Sequence, residues 1–223
     1  MSGPSSLLFD GPALRPAWPW GDLAPGAYGL IMADPPWHFS VYSSKGEVKS
    51  AQAKYRTMRM GDIARLPVGE LAAPDCVLWL WATAPMVDQQ ITIAAAWGFT
   101  FKTSGVWVKQ TARGNLAFGT GYLLRNCHEP FLIATRGRPQ TSRSVRSAIL
   151  APAREHSRKP DVAYAIAETF VPGVRRLELF SRERRTGWDV WGDEVGKFNN
   201  QDMQPPAGPA PAESVAANEG ARP

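Results

Sequence analysis

Cysteine is scarce in this chain, and its two copies, Cys76 and Cys127, lack the close spacing of a zinc site or a disulfide framework. The three histidines, His38, His128 and His156, are scattered too, so no metal is expected. Apolar runs of about 18 residues are missing, as is a basic leader followed by an apolar segment. We therefore expect a cytoplasmic protein with no membrane span and no metal.

Proline and small residues concentrate at the two ends of the chain. Residues 1–26 contain five prolines, and residues 199–223 are mostly proline, alanine, glycine and small polar residues. These compositions predict an irregular lead-in and a disordered tail. Residues 27–198 would then form one domain, since 44% of the 223 residues are hydrophobic and can build one sizeable core. The net charge of +5 favours contact with polyanions such as nucleic acid.

Apolar runs of strand length alternate with segments of helical periodicity between these ends. The strands are predicted at residues 28–33, 76–83, 103–109, 130–135, 176–181 and, more weakly, 188–191. Several runs are apolar on consecutive residues, which is typical of strands covered on both faces of a parallel or mixed sheet. Helices are predicted at residues 85–97, ended by Gly98, and at residues 160–171, with Val162, Ala165, Ile166, Thr169 and Phe170 on the inner face. The pattern predicts an α/β domain.

The segment Asp34-Pro35-Pro36-Trp37 directly follows the first predicted strand. Ligands of open α/β sheets collect beyond the carboxyl ends of strands, so the Asp34 carboxylate is expected to face a crevice. The prolines fix the backbone, and the Asp34 carboxylate and Pro35 carbonyl could both accept hydrogen bonds from an amine such as that of adenine. That arrangement favours a pyramidal nitrogen able to attack a methyl sulfonium, with Trp37 stacked on the base. A strand-ending turn with a core tryptophan is the alternative.

Collinear stretches from Leu30 to about Val195 resemble the MT-A70 family, which includes messenger-RNA adenine-N6 methyltransferases and many bacterial and phage members. The matching stretches lie at residues 33–37, 55–58, 78–83, 97–99, 106–109, 119–122, 128–129, 156–160 and 177–182. The resemblance implies a single Rossmann-like methyltransferase domain that uses S-adenosylmethionine. It also implies a permuted motif order, in which the DPPW segment precedes the cofactor-binding strand.

The same resemblance implies roles for individual residues. Asp34, Pro35, Pro36 and Trp37 would be catalytic, with Asp34 also at the cofactor. Cofactor binding would fall to Lys159, which resembles the lysine that anchors the methionine carboxylate, and to Phe180, Arg182, Asp193 and Glu194. Asp193 departs from the asparagine that the family usually has there. Trp37, Tyr55 and Glu129 would lie near the target base.

Three further segments suggest how the substrate is handled. Residues 39–54 form a long polar stretch that could gate the target base or be a plain surface loop. Residues 136–159 hold seven Arg and Lys with one acid, which indicates a phosphate-contacting surface or a solvated basic face. No intercalating segment is evident, so unpaired or mismatched targets should be preferred.

The expected reaction is methylation of the N6 amine of adenine, in DNA rather than RNA because a compact chain resembles the bacterial and phage branch. RNA is the main alternative. N4-cytosine methylation is another, although related enzymes more often have Ser at the position of Asp34. A catalytically silent nucleic-acid-binding subunit is a third, and the presence of both DPPW and Lys159 argues against it. A homodimer or heterodimer is compatible with the sequence.

Overall fold

The structure is a computed structural model that describes residues 18–38, 57–119, 121, 123–154 and 158–198. Its strands are β1 (Tyr28–Ala33), β2 (Ala72–Trp81), β3 (Thr100–Gln110), β4 (His128–Arg136), β5 (Ala148–Pro152), β6 (Arg176–Leu179) and β7 (Asp189–Trp191). Its helices are α1 (Met60–Arg65), α2 (Val68–Leu71), α3 (Val87–Ala96) and α4 (Asp161–Phe170), and a 3-10 turn (Ala84–Met86) precedes α3.

One seven-stranded sheet has the order β5-β3-β4-β2-β1-β6-β7. It is mixed, since β4 runs antiparallel to β2 and β3 while the remaining neighbours are parallel. All six residues of β1 are buried because successive side chains enter different cores. Ile31 and Leu78 pack with α1, α2 and α3 on one face, whereas Leu30 and Val77 pack with α4 on the other. The predicted α/β architecture with strands covered on both faces is confirmed.

The strand directions place the ends of several strands at the same edge of the sheet. Ala33 pairs with Leu80 and with Leu179, and Leu179 pairs with Trp191, so the ends of four parallel strands lie level. The antiparallel β4 begins at this same edge, where Phe131 pairs with Trp81. Strands β3 and β5 also end there. We call this side the carboxyl edge and the opposite side the far edge.

Helix α4 has the predicted extent within one residue at each end, but its predicted inner face is only partly right, since Ile166 and Phe170 pack half-buried against the core. Ala163, Tyr164 and Ala167 are buried, whereas Val162 is 42% exposed. Small alanine side chains let the helix lie close to the sheet, and the Tyr164 ring packs edge-on against Trp188 at 5.5 Å between centroids. The buried stripe is therefore built from residues that a scale of hydrophobicity ranks below Val and Ile.

The remaining elements differ in detail from the sequence prediction. Strand β5 and helices α1 and α2 were not predicted. Gly98 ends the α3 segment with a φ of +82°, as expected from its position. Residues 18–26 form turns without helix or strand, yet Trp20 in this lead-in is buried in the core. Among the described residues, every helix is too short or too polar to cross a bilayer.

Candidate active site

The turn at Asp34 is fixed by backbone hydrogen bonds on both sides. The Asp34 N–H donates to the Leu179 carbonyl of β6 at 3.4 Å, and the Trp37 N–H donates to the Pro35 carbonyl at 2.8 Å. The Pro36 carbonyl accepts from the Met58 N–H at 2.9 Å. Because a carbonyl oxygen has two lone pairs, Pro35 keeps one acceptor direction beyond this bond. The carboxylate of Asp34 is consequently held in one place at the carboxyl edge, with 30% of its side chain exposed.

Trp37 closes this turn against the core. Its ring is 5% exposed, and its indole N–H donates to the Trp81 carbonyl at the end of β2 at 3.2 Å. In this conformation the ring offers little free face to a base, which agrees with the alternative of a core tryptophan. The stacking role stays a prediction.

Asp34 is the first of four charged side chains that form a chain. The Lys159 ammonium lies 2.7 Å from the Asp34 carboxylate and 2.6 Å from that of Glu129. The second oxygen of Glu129 lies 2.9 Å from the ammonium of Lys109, at the end of β3. Lys159 also sits over the Trp81 ring, 5.2 Å from its centroid. Two lysines thus balance two carboxylates in a place where Lys159 is only 5% exposed.

Burial and these partners shift the pKa values of Asp34 and Glu129 in opposite directions. Burial raises the pKa of Asp34 above its usual value, and the attraction of Lys159 opposes this only in part. Burial alone would raise the pKa of Glu129 as well, but Lys159 and Lys109 outweigh it, and the pKa is lowered. Asp34 is therefore the carboxylate of the pair that accepts a proton more readily.

A cleft at the carboxyl edge brings together four residues predicted for the site: Asp34, Lys159, Phe180 and Arg182. Phe180 follows β6 and is the only non-glycine residue with positive φ in the described part of the chain, at 65°. Such backbone conformations are costly for side-chain-bearing residues and cluster at functional sites. The cleft is also lined by Arg158, Tyr164, Glu178, Glu183 and Phe198.

The segment after β7 covers one side of this cleft. The Arg182 guanidinium donates to the Glu194 carboxylate at 2.7 Å, so these two predicted cofactor residues lie together. Phe198, which is 1% exposed, lies between the guanidinium groups of Arg158 and Arg182, at 5.2 and 5.1 Å from its ring. Asp193 is exposed, and its cofactor role stays a prediction.

An ion-pair network begins at Arg158, the residue directly before Lys159. Arg158 is 6% exposed and its guanidinium lies 2.5 Å from the carboxylate of Glu183. Arg185 bridges Glu183 and Asp161, in the first turn of α4, at 2.6 and 2.7 Å. Such a network fixes the chain around Lys159 because breaking one member leaves an uncompensated buried charge.

The basic segment 136–159 is therefore not one nucleic-acid surface. Arg158 and Lys159 are buried in ion pairs. Arg136 ends β4 at the far edge, where its guanidinium donates to the Gly69 carbonyl at 2.5 Å. Arg138, Arg143 and Arg146 are exposed in the connection that follows, which leaves the sheet from the far edge. Arg154 follows β5 at the carboxyl edge, where its guanidinium contacts the Lys159 carbonyl, and the phosphate-contacting role of the segment stays a prediction.

Glu178 on β6 is a buried carboxyl group that the sequence did not single out. It accepts hydrogen bonds from the Tyr164 hydroxyl at 2.6 Å and the Ser181 hydroxyl at 2.9 Å. Burial raises its pKa to about 7. Ser181, which stands where the family often has glycine, is 1% exposed and accommodated by these bonds. Glu178 therefore supports the turn that carries Phe180.

Some predicted residues lie outside the described residues: Tyr55, the proposed gate at 39–54, His156 and the tail at 199–223. His38 contacts the Thr57 hydroxyl, and His128 begins β4. Conversely, no role was predicted for Lys109. Its place at the end of a predicted strand was the available signal, since that end meets the carboxyl edge.

Comparison with known proteins shows the family of the chain. The MT-A70 family profile matches residues 28–194. The chain is 30% identical over 187 residues to the Type II methyltransferase M.MunI of Mycoplasma sp, covering 75% of this chain and 78% of that protein. It is 29% identical over 214 residues to an N(6)-adenosine-methyltransferase MT-A70-like protein of Arabidopsis thaliana, covering 87% of this chain and 30% of that protein. It is 27% identical to the N(6)-adenine-specific methyltransferase METTL4 of Mus musculus, covering 89% and 43%. The chain therefore belongs to the MT-A70 family of N6-adenine and N6-adenosine methyltransferases.

Proposed function

We propose that this protein transfers a methyl group from S-adenosylmethionine to the N6 amine of adenine in DNA. The observation that carries the proposal is the meeting of Asp34 with Lys159, Phe180 and Arg182 in one cleft at the carboxyl edge. A silent binding subunit has no need of this constellation, so an active enzyme is favoured.

The residues of the cleft fit S-adenosylmethionine by the chemistry of their side chains. Lys159 and Arg182 are cations suited to its carboxylate, and Glu194 offers oxygens for ribose hydroxyls beside Arg182. The aromatic ring of Phe180 suits the adenine. When bound, the group supplies a methyl group on a sulfonium centre. We propose that Asp193 joins this set.

Asp34 would act on the target amine. Its carboxylate and the remaining lone pair of the Pro35 carbonyl accept hydrogen bonds from the two N–H groups of the adenine amine. These bonds direct the lone pair of the amine nitrogen outward. Lys159 favours the charged carboxylate and so opposes part of the effect of burial on its pKa. As the new N–C bond would form and the bond between the methyl carbon and sulfur would break, the displaced amine proton would pass to Asp34 or to solvent. Pro36 and Trp37 hold the turn, and Tyr55 and Glu129 would complete the base pocket.

The choice of DNA rests on likeness. The chain spans 78% of a bacterial Type II methyltransferase but 30% of the plant N(6)-adenosine-methyltransferase-like protein. We propose that the motif order is permuted, with the DPPW segment before the cofactor-binding strand. We also propose that the protein works in the cytoplasm.

The test is to incubate the protein with labelled S-adenosylmethionine and separate pools of DNA and RNA, and to identify methylated nucleosides by mass spectrometry. We expect N6-methyladenine in DNA, and none with Asp34→Asn. Methyl label only in RNA would overturn DNA as the substrate, and N4-methylcytosine would overturn adenine. Absence of any product with a folded protein would favour the silent subunit.

A further inference from the structure

Large hydrophobic side chains are exposed in one place more than elsewhere. The connection between β3 and β4, residues 111–127, carries Leu116, Phe118, Leu123 and Leu124 with exposures of 63%, 80%, 98% and 84%. Concentrated exposed apolar groups mark interaction sites, since a soluble surface otherwise gains nothing from them.

This connection, which we call the finger, is attached at the active site. Lys109 lies two residues before the finger and Glu129 two residues after it, and Glu129 links Lys109 to Lys159, which is bonded to Asp34. Hydrogen bonds close the base of the finger, with the Lys109 N–H donating to the Cys127 carbonyl at 2.8 Å. A partner that contacts the finger would therefore lie close to the Asp34 carboxylate.

The charges of the finger indicate what that partner is. No acidic residue occurs between positions 110 and 128, while Arg113 and Arg125 supply two cations. The Arg125 guanidinium lies 5.1 Å from the centre of the Phe118 ring. Apolar and aromatic side chains accompanied by arginine are the means by which proteins enter a base stack, whereas the arginines suit the adjoining phosphates.

We infer that the finger inserts its apolar tip into double-stranded nucleic acid beside the target adenine and so helps to extrude that base toward Asp34. This inference rests on the proposed function. A base inside a duplex must leave the stack before its amine can reach the site, and an inserted side chain takes its place against the neighbouring bases. The expected preference for unpaired targets rested on the lack of an evident intercalating segment, and the finger supplies one.

The test uses plasmid DNA free of N6-methyladenine, native or heat-denatured, with labelled S-adenosylmethionine. Two variants remove the tip: Phe118→Ala, and Leu123→Ser with Leu124→Ser. The matched control is Phe101→Ala, which removes the same side chain at the far-edge end of β3, where it is 38% exposed. Both finger variants should lower methylation of native DNA by roughly tenfold to a hundredfold, the size expected for lost stacking, and change denatured DNA by less than about threefold. The control should match the wild type.

A second measurement does not depend on methyl transfer. Insertion unwinds DNA, so the wild type should shift the topoisomers of a closed plasmid relaxed by topoisomerase, and the finger variants should not. If no nucleic acid is methylated but the shift persists, the proposed function fails and the finger stands. Equal loss on both DNA forms, or variants indistinguishable from wild type, would overturn the inference. A difference in molecular mass between the finger variants and the wild type, measured by light scattering, would also overturn the inference, because the finger would then be a protein interface.

Discussion

Replacing Lys159 by methionine should destabilise the fold because two carboxylates lose the cation they share. Removal of one partner from a buried ion pair typically costs about 3 to 5 kcal/mol. Asp34 is 30% exposed and Glu129 keeps Lys109 at 2.9 Å, so we expect a cost around the lower end of that range, about 2 to 4 kcal/mol. For a domain of this size each kcal/mol lowers the Tm by about 2 to 4 °C, which predicts a fall of roughly 5 to 15 °C.

A second substitution tests whether charge is the cause. In Lys159→Met with Asp34→Asn, only the Lys109 and Glu129 pair remains, and that pair is balanced. The double variant should regain about 1 to 3 kcal/mol relative to Lys159→Met, measured by urea unfolding of all four proteins of the cycle at pH 7. Lys109→Met is the control, since Lys109 is 27% exposed and should contribute less than about 1 kcal/mol. A double variant no more stable than Lys159→Met would refute the charge argument.

Three further predictions concern activity, binding and pH. Methyl transfer should fall on the acid side with an apparent pKa above the usual range of aspartate, because Asp34 must be charged to accept an N–H; a pH profile of kcat without such a limb between pH 4 and 8 would contradict this. Lys159→Ala should weaken binding of S-adenosylhomocysteine by roughly ten- to a hundredfold in calorimetric titration, as for a lost charged hydrogen bond, and an unchanged Kd would remove it from the cofactor site. Glu178→Gln should flatten the dependence of Tm on pH: with a folded pKa of about 7, neutral Glu178 stabilises fully below about pH 4.5, and this is lost as pH rises toward 7. Equal slopes for variant and wild type between pH 5 and 8 would count against that assignment.

Local patterns predicted the elements whose signal is contained in their own residues. Strand β1 matches its predicted bounds because an apolar run ends at two prolines. Strand β5 was not predicted because only Ile149 and Ala151 of its five residues are buried, while Leu150 is exposed. The inner face of α4 was predicted only in part, since Ile166 and Phe170 pack against the core but close packing favours Ala163 over Val162, a preference set by the sheet and not by the helix.

The residues of the site also differ in whether local sequence patterns predicted them. Asp34 and Lys159 were predicted from motif resemblance, and the structure brings them to 2.7 Å across 125 positions of sequence. The Lys109 and Phe198 contacts depend on strand order and on the path of the chain after β7, which no local pattern encodes. The exposed tip of the finger could not be told from a core segment, since composition does not reveal which apolar residues stay uncovered.

Strand β1, paired on both sides and buried on both faces, has a consequence for when the active site can come apart. Its amide hydrogens should exchange with solvent only when the whole domain unfolds, because no partial opening frees a strand at the middle of a sheet. Asp34 follows the last residue of that strand directly. The carboxylate should therefore keep its position through every local fluctuation of the connections around it, and heat or denaturant should abolish catalysis at the same midpoint at which these slowest amides lose protection.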